Sequence, residues 1–190
     1  MAGCQRPARS IKETPVQQLS SVKIILLPLG DINKASISSI EHYLKTVHSE
    51  VQLLPAEKLP QAAWYAPRKR YRADSIIQIL AKRAAANEVY VGITNADIST
   101  RKGNISDFGV MGLGYMPGKA CVASLYRLKN KSSFYKVVTH ELGHTAGLPH
   151  CSKEYCYLRD ARGGDPTAEE KKFCNDCWHH LKGKGWLNNQ

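Results

Sequence analysis

Apolar positions gather in short blocks separated by Gly, Pro and polar residues, and the spacing inside each block sets the element it predicts. Val22–Pro28 (Val-Lys-Ile-Ile-Leu-Leu-Pro) is a nearly continuous apolar run bounded by Pro28 and Gly30, the pattern of a buried strand. From Ala35 to Val47, Ile37, Ile40, Tyr43, Leu44 and Val47 recur at helical spacing. Val51–Leu54 predicts a second short strand ended by Pro55. A loop is expected after it, through Pro60, Pro67 and the basic cluster Arg68-Lys69-Arg70-Tyr71-Arg72. Asp74 suits the N-cap of a helix carrying Ile76, Ile77, Ile79, Leu80 and Ala84. Glu88–Thr94 alternates as a third strand. This β-α-β-α-β order predicts an α/β fold, a sheet with helices covering it.

The pattern then loosens. Residues 95–106 read as a surface loop. Phe108–Tyr115 is glycine-rich and strand-like, and Lys119–Leu128 alternates through Val122, Leu125 and Leu128. This second strand, just before the next helix, is expected to rim a cleft and pair with an extended peptide, to be simply a strand of the sheet, or both. Ser132 or Ser133 caps a helix whose apolar surface is Phe134, Val137, Val138, Leu142 and Ala146. A last helix is expected from Asp165-Pro166-Thr167, with Pro166 at its first position and Thr167 and Glu170 at capping-box spacing. It ends at Gly183. Residues 1–21 are polar and without periodicity, a flexible lead-in to a single domain over 22–190.

Charge and cysteine content narrow the function classes. Of 190 residues, 27 are Lys or Arg and 16 are Asp or Glu, a net charge of +11. That balance fits a solvated basic surface, or an acidic partner such as nucleic acid. No apolar run is long enough to span a membrane. Met1-Ala2-Gly3-Cys4 resembles the end of a lipoprotein box, but no charged and apolar leader precedes it, so a cytoplasmic location is expected. A lipid anchor at Cys4 is the alternative if the chain is a trimmed precursor. Cys121 lies in an apolar run and reads as a buried small hydrophobe.

The helix after Ser133 carries the chemistry. His140 and His144 are four residues apart, so both imidazoles face one side, where they can share Zn²⁺. Glu141 sits beside that ion in the position of a general base for a metal-bound water. Gly147 allows the helix to end and turn back, bringing His150 in as a third ligand; three ligands leave the fourth position open, the catalytic arrangement. Cys151 and Cys156, with Cys174 and Cys177, offer four thiolates for a closed, structural zinc that staples the segment after His150 to the last helix. Disulfides or a redox Cys-x-x-Cys are the alternatives. His42 and His48 are assigned no ligand role.

His140-Glu141-x-x-His144-x-x-Gly147-x-x-His150-Cys151-x₄-Cys156, followed by Cys174-x-x-Cys177, resembles the extended motif of the archaemetzincins, minimal metzincin-type zinc proteases. The resemblance implies a compact metzincin-like domain with a twisted mixed sheet of four to five strands. The sheet is mostly parallel with one antiparallel rim strand, and it backs the active-site helix. It also implies a zinc metallopeptidase with two Zn²⁺ per chain, acting on peptide or protein as a monomer. One departure stands out: Leu158 occupies the position where the family carries the Met that floors the catalytic zinc. Leu is apolar and of similar volume. A catalytically silent peptide binder and a basic zinc-stabilised nucleic-acid module are the competing readings. Tyr157 is a candidate oxyanion donor, or simply a packed ring.

Overall fold

The computed structural model describes residues 22–186, so the expectations for the lead-in and for Cys4 lie outside the described residues. The apolar run after Val22 becomes β1 (Lys23–Leu29). It is followed by α1 (Lys34–Val47), β2 (Val51–Leu53), β3 (Trp64–Tyr65), β4 (Arg70–Arg72), α2 (Ala73–Ala81) and β5 (Glu88–Thr94). Then come β6 (Ile98–Lys102), β7 (Ile105–Val110), β8 (Gly112–Gly114), β9 (Ala120–Ser124), α3 (Phe134–Thr145) and α4 (Asn175–Gly183). Five strands form one sheet in the order β2-β1-β5-β9-β8. β1, β2, β5 and β9 run parallel to their neighbours, and β8 joins β9 antiparallel.

Both faces of this sheet are covered, which is why β1 is apolar at consecutive positions. Leu26, Val91 and Cys121 pack on one face with Ile40 and Leu44 of α1 and Val138 and Leu142 of α3. Leu27 and Val122 pack on the other with Ile76, Ile77 and Leu80 of α2. Cys121 is fully buried, as expected.

Four expectations fail. The surface loop of 95–106 and the basic loop around Arg70 are strands of a second sheet, ordered β3-β4-β6-β7. Its strands are short and polar because ion pairs tie them: Arg70 to Asp97 at 3.2 Å and to Asp107 at 3.4 Å, and Arg127 to Asp97 through two bonds of 2.9 Å. Of the two readings of the strand within Lys119–Leu128 the second holds: it is an inner strand of the sheet, and the edge is β8. β9 covers only Ala120–Ser124, is paired on both sides and is buried throughout. Asp74 lies in the first turn of α2 rather than at its cap, and accepts a hydrogen bond from Thr100 Oγ1 at 2.7 Å. The last helix begins at Asn175, with Cys174 at its N-cap. Thr167 does not cap a helix; its amide and hydroxyl both donate to Asp165. Lys136 Nζ takes the carbonyls of Thr167 and Glu170, each at 2.6 Å, and the amides of Lys171 and Lys172 donate to the Tyr155 carbonyl rather than back along a helix.

Candidate metal centres and active-site cleft

The stretch from α3 to α4 builds two donor clusters that share a wall. α3 is amphipathic, burying Phe134, Val137, Val138 and Leu142. Ser133 stands at its N-cap without a capping bond; Asn130 instead caps the preceding turn through the Ser132 amide. At the other end Gly147 has φ +94°, a conformation open to glycine, and its amide donates to the His144 carbonyl at 2.8 Å. The reversed chain returns the Leu148 carbonyl to His144 Nδ1 at 2.8 Å and carries His150 to the other two imidazoles. The ring nitrogens of His140, His144 and His150 lie within 4.8 Å of one another.

The contacts of these rings suit a shared cation. His140 Nδ1 meets the Tyr157 carbonyl at 2.7 Å and His144 Nδ1 meets that of Leu148, so both Nδ1 atoms are N–H donors. Burial, and then the neighbouring His144, push His140 down to about 3; burial also lowers His144. Both rings are therefore neutral, and both Nε2 atoms present lone pairs, facing each other at 3.0 Å. Such a contact is not a hydrogen bond. It is repulsive unless a positive ion satisfies both lone pairs, and neutral imidazoles held by carbonyl acceptors are the form that binds Zn²⁺.

Glu141, 7% exposed, points from the same helix toward the rim. A Cβ on Gly112 of β8 would come within 2.5 Å of Glu141 Oε1, and one on Gly114 within 2.6 Å of its main-chain oxygen. The two glycines therefore let α3 approach the sheet edge. Burial pushes the Glu141 carboxyl up to about 8, and a dication beside it would draw it back toward the ionised form. In front lies a cleft of about 760 Å³, lined among others by Phe108, Met111, His140, Glu141, His150 and Glu170.

Cys151, Cys156, Cys174 and Cys177 bring their sulfurs within 4.8 Å of one another. Cys151 Sγ and Cys174 Sγ are 3.7 Å apart, far beyond a disulfide bond but near the roughly 3.8 Å edge of a tetrahedron with 2.3 Å Zn–S bonds. Burial lifts the Cys156 thiol to about 11 and raises Cys177 further, while hydrogen bonds from Cys177 and the other sulfurs lower Cys174; a bound cation would favour the thiolate form of all four. This cluster also serves the first. The Cys151 amide bonds the Leu158 carbonyl at 2.7 Å, and Tyr157, between Cys156 and Leu158, supplies the carbonyl that orients His140. Leu158 is fully buried against α3, where a Cβ on Gly143 would meet it at 2.6 Å.

The Tyr157 ring is not an oxyanion donor. It is 6% exposed and packs edge-on to Tyr135 and Phe173. His48 is no ligand either; its ring nitrogens meet the Val22 and Trp186 carbonyls, tying the start of β1 to the chain after α4. Sequence reasoning missed the Tyr157 carbonyl, the two rim glycines and Glu170. Of these only the glycine-rich Phe108–Tyr115 stretch carried a visible signal. No helix among the described residues is long and apolar enough to cross a membrane.

Comparison with known proteins agrees with this geometry. The profile of Peptidase family M54 matches residues 19–183. The archaemetzincin of Halobacterium salinarum is 32% identical over 177 residues, covering 82% of this chain and 97% of that protein. The crystal structure of Archaeoglobus fulgidus archaemetzincin aligns with a TM-score of 0.68 at 27% identity, over 84% of this chain and 99% of that one. The Methanopyrus kandleri archaemetzincin shares the fold, with a TM-score of 0.72 over 89% of this chain and 98% of that one. The chain therefore belongs to peptidase family M54, the archaemetzincins, a family of zinc metallopeptidases.

Proposed function

We propose that this chain hydrolyses peptide bonds with one zinc held by His140, His144 and His150, and that a second zinc on Cys151, Cys156, Cys174 and Cys177 is structural. The observation that carries the reading is the pair of Nε2 lone pairs facing at 3.0 Å, with both Nδ1 atoms committed elsewhere and a buried carboxyl on the next residue. When bound at the histidines, zinc supplies a Lewis acid that acidifies water and polarises a carbonyl. Glu141 accepts the proton of the attacking water and delivers it to the leaving amine. β8 ends its sheet among the described residues, and an extended peptide laid along it would present its carbonyl to Glu141. Residues 22–190 form the catalytic domain in this reading, and the cysteine site keeps the Tyr157 carbonyl on His140.

Two observations weigh against the competing readings. Arg70 and Arg72 of the basic cluster, with Arg127, pair with Asp97 and Asp107, which leaves Arg68 and Lys69 as its exposed cations and weakens it as a face for nucleic acid. Leu158 is fully buried beneath α3, as an apolar side chain standing in for the family's Met should be, which favours an intact floor over a silent site. The test is a peptide-library digest read by mass spectrometry, with metal content measured on the same samples. Protein holding two zinc ions should generate new termini, and His144→Ala should generate none. Cleavage persisting in His144→Ala, or none from protein with the histidine site loaded, contradicts the reading.

A further inference from the structure

Four guanidinium groups share two carboxylates beside the cleft. Arg68, Arg70 and Arg72 pair with Asp107, and Arg70 and Arg127 pair with Asp97. Four cations against two anions leave a surplus of positive charge, and of the four only Arg127 lines the cleft. Its side chain is 34% exposed yet held at two places. Nε and Nη2 donate to the two oxygens of Asp97, each at 2.9 Å. The guanidinium also packs on the main chain of Gly109, where a Cβ would come within 2.2 Å of its Cζ. A guanidinium has five N–H groups, and two are spent on Asp97; those left on Nη1 and Nη2 find no acceptor among the described residues. They form the edge that a carboxylate meets with two parallel bonds. A side chain clamped in this way loses little freedom when it binds.

Gly109 also ties Arg127 to the catalytic helix. Gly112, three residues on, would place a Cβ 2.5 Å from Glu141 Oε1. Three residues span at most about 10 Å, so the guanidinium stands within about three residues of extended peptide from Glu141. A peptide paired antiparallel with β8 runs from Gly114 toward Gly112 and on toward Gly109, which brings its C-terminal side to Arg127. We propose that Arg127 forms a subsite for a carboxylate two or three residues to the C-terminal side of the scissile bond, supplied by an acidic side chain or by the substrate's own C-terminus. The proposal rests on the zinc-peptidase reading above. Asp97 and Gly109 fix the guanidinium, and its free edge recognises the anion.

The test uses the zinc-loaded protein and fluorogenic peptides built on a sequence cleaved in the library digest. They carry Glu, Gln or Lys at the second or third residue after the scissile bond, and a further pair ends there as free acid or amide. At one of these positions kcat/KM should favour Glu over Gln about tenfold, with Lys weakest, or favour the acid over the amide by as much. The first result marks a side chain, the second a chain end. Binding of the uncleaved peptides to zinc-loaded Glu141→Gln, read by fluorescence anisotropy, should follow the same order. Arg127→Gln should abolish the preference. Gly109→Ala keeps the net charge but displaces the guanidinium, and should lower the preference as well. Lys129→Gln, which removes another cation lining the cleft, should keep it. Melting curves show which variants fold, and Gly109→Ala decides the matter if Arg127→Gln does not. No carboxylate preference in the parent, a preference that survives displacement or loss of the guanidinium, or one lost equally in Lys129→Gln overturns the subsite and leaves the zinc reading intact. A library digest without cleavage overturns the zinc reading, and the subsite with it.

Discussion

Replacing Gly112 by alanine tests whether the approach of α3 to the rim positions Glu141. A methyl group there would lie 2.5 Å from Glu141 Oε1, 2.6 Å from its Cγ and 2.8 Å from its Cδ. All three are below contact distance, and Glu141 is buried, so it has no open solvent to swing into. Either the carboxylate or β8 must move. Overpacking of this kind costs about 1–3 kcal/mol, or about 3–10 °C in Tm for a chain of this size. The effect on catalysis should be larger, because displacing a catalytic group by about 1 Å costs on the order of a hundredfold. The assay is kcat/KM on a fluorogenic peptide, with zinc content and Tm measured in parallel. Zinc content should hold at the parent's level, because Gly112 does not touch the imidazoles. Gly183→Ala is the control: nothing lies within 4 Å of its added methyl, and it should leave activity unchanged. Gly112→Ala with the parent's kcat/KM and Tm would refute the close approach.

Leu158→Met should change stability by less than about 1.5 kcal/mol and leave kcat/KM near the parent's, whereas Leu158→Ala should cost about 2–5 kcal/mol by thermal unfolding. The Glu170 carboxyl is raised from 4.5 to about 7, so the folded state keeps a proton that the unfolded state loses between those values. Its burial thus costs nothing below about pH 4.5 and costs more as pH rises toward 7, by roughly 3 kcal/mol at most. Glu170→Gln should therefore melt above the parent at pH 8 and level with it near pH 4.5; a pH-independent difference would contradict the assignment. Cys174→Ser should lower Tm and also weaken zinc binding at the histidine site by about 10–100-fold, because the cysteine cluster holds the Tyr157 carbonyl on His140. Unchanged melting and metal content would remove the cysteine site.

What the sequence revealed and what it hid have separate physical origins. His140, Glu141, His144, Gly147 and His150 were legible because their relation is local: one helix face, one positive-φ turn and a short return fix their geometry. The main sheet was legible because β1 is buried on both faces and must be apolar there, and because the start of β5 alternates. The second sheet was hidden because pairing and ion pairs between distant residues hold it, such as Arg72 with Asp107, and its strands carry no apolar alternation. Rim and inner strand stay open for β9 in the sequence because edge position is a property of sheet order, which alternation does not encode. The false helix start at Asp165 had correct local chemistry, but the Lys171 and Lys172 amides that would extend it donate to the Tyr155 carbonyl. Glu170 was then read as part of a capping box, when its burial in the cleft wall depends on that same tertiary contact.

The central claim is that Glu141 acts as the base beside a zinc held by three histidines. Peptide hydrolysis by Glu141→Gln, compared with the parent at equal measured zinc content, tests it most directly. Two zinc ions per chain in both proteins, with hydrolysis reduced about 10²–10⁴-fold in the variant, is the predicted result. A fully zinc-loaded Glu141→Gln that cleaves peptides at the parent's rate would contradict it.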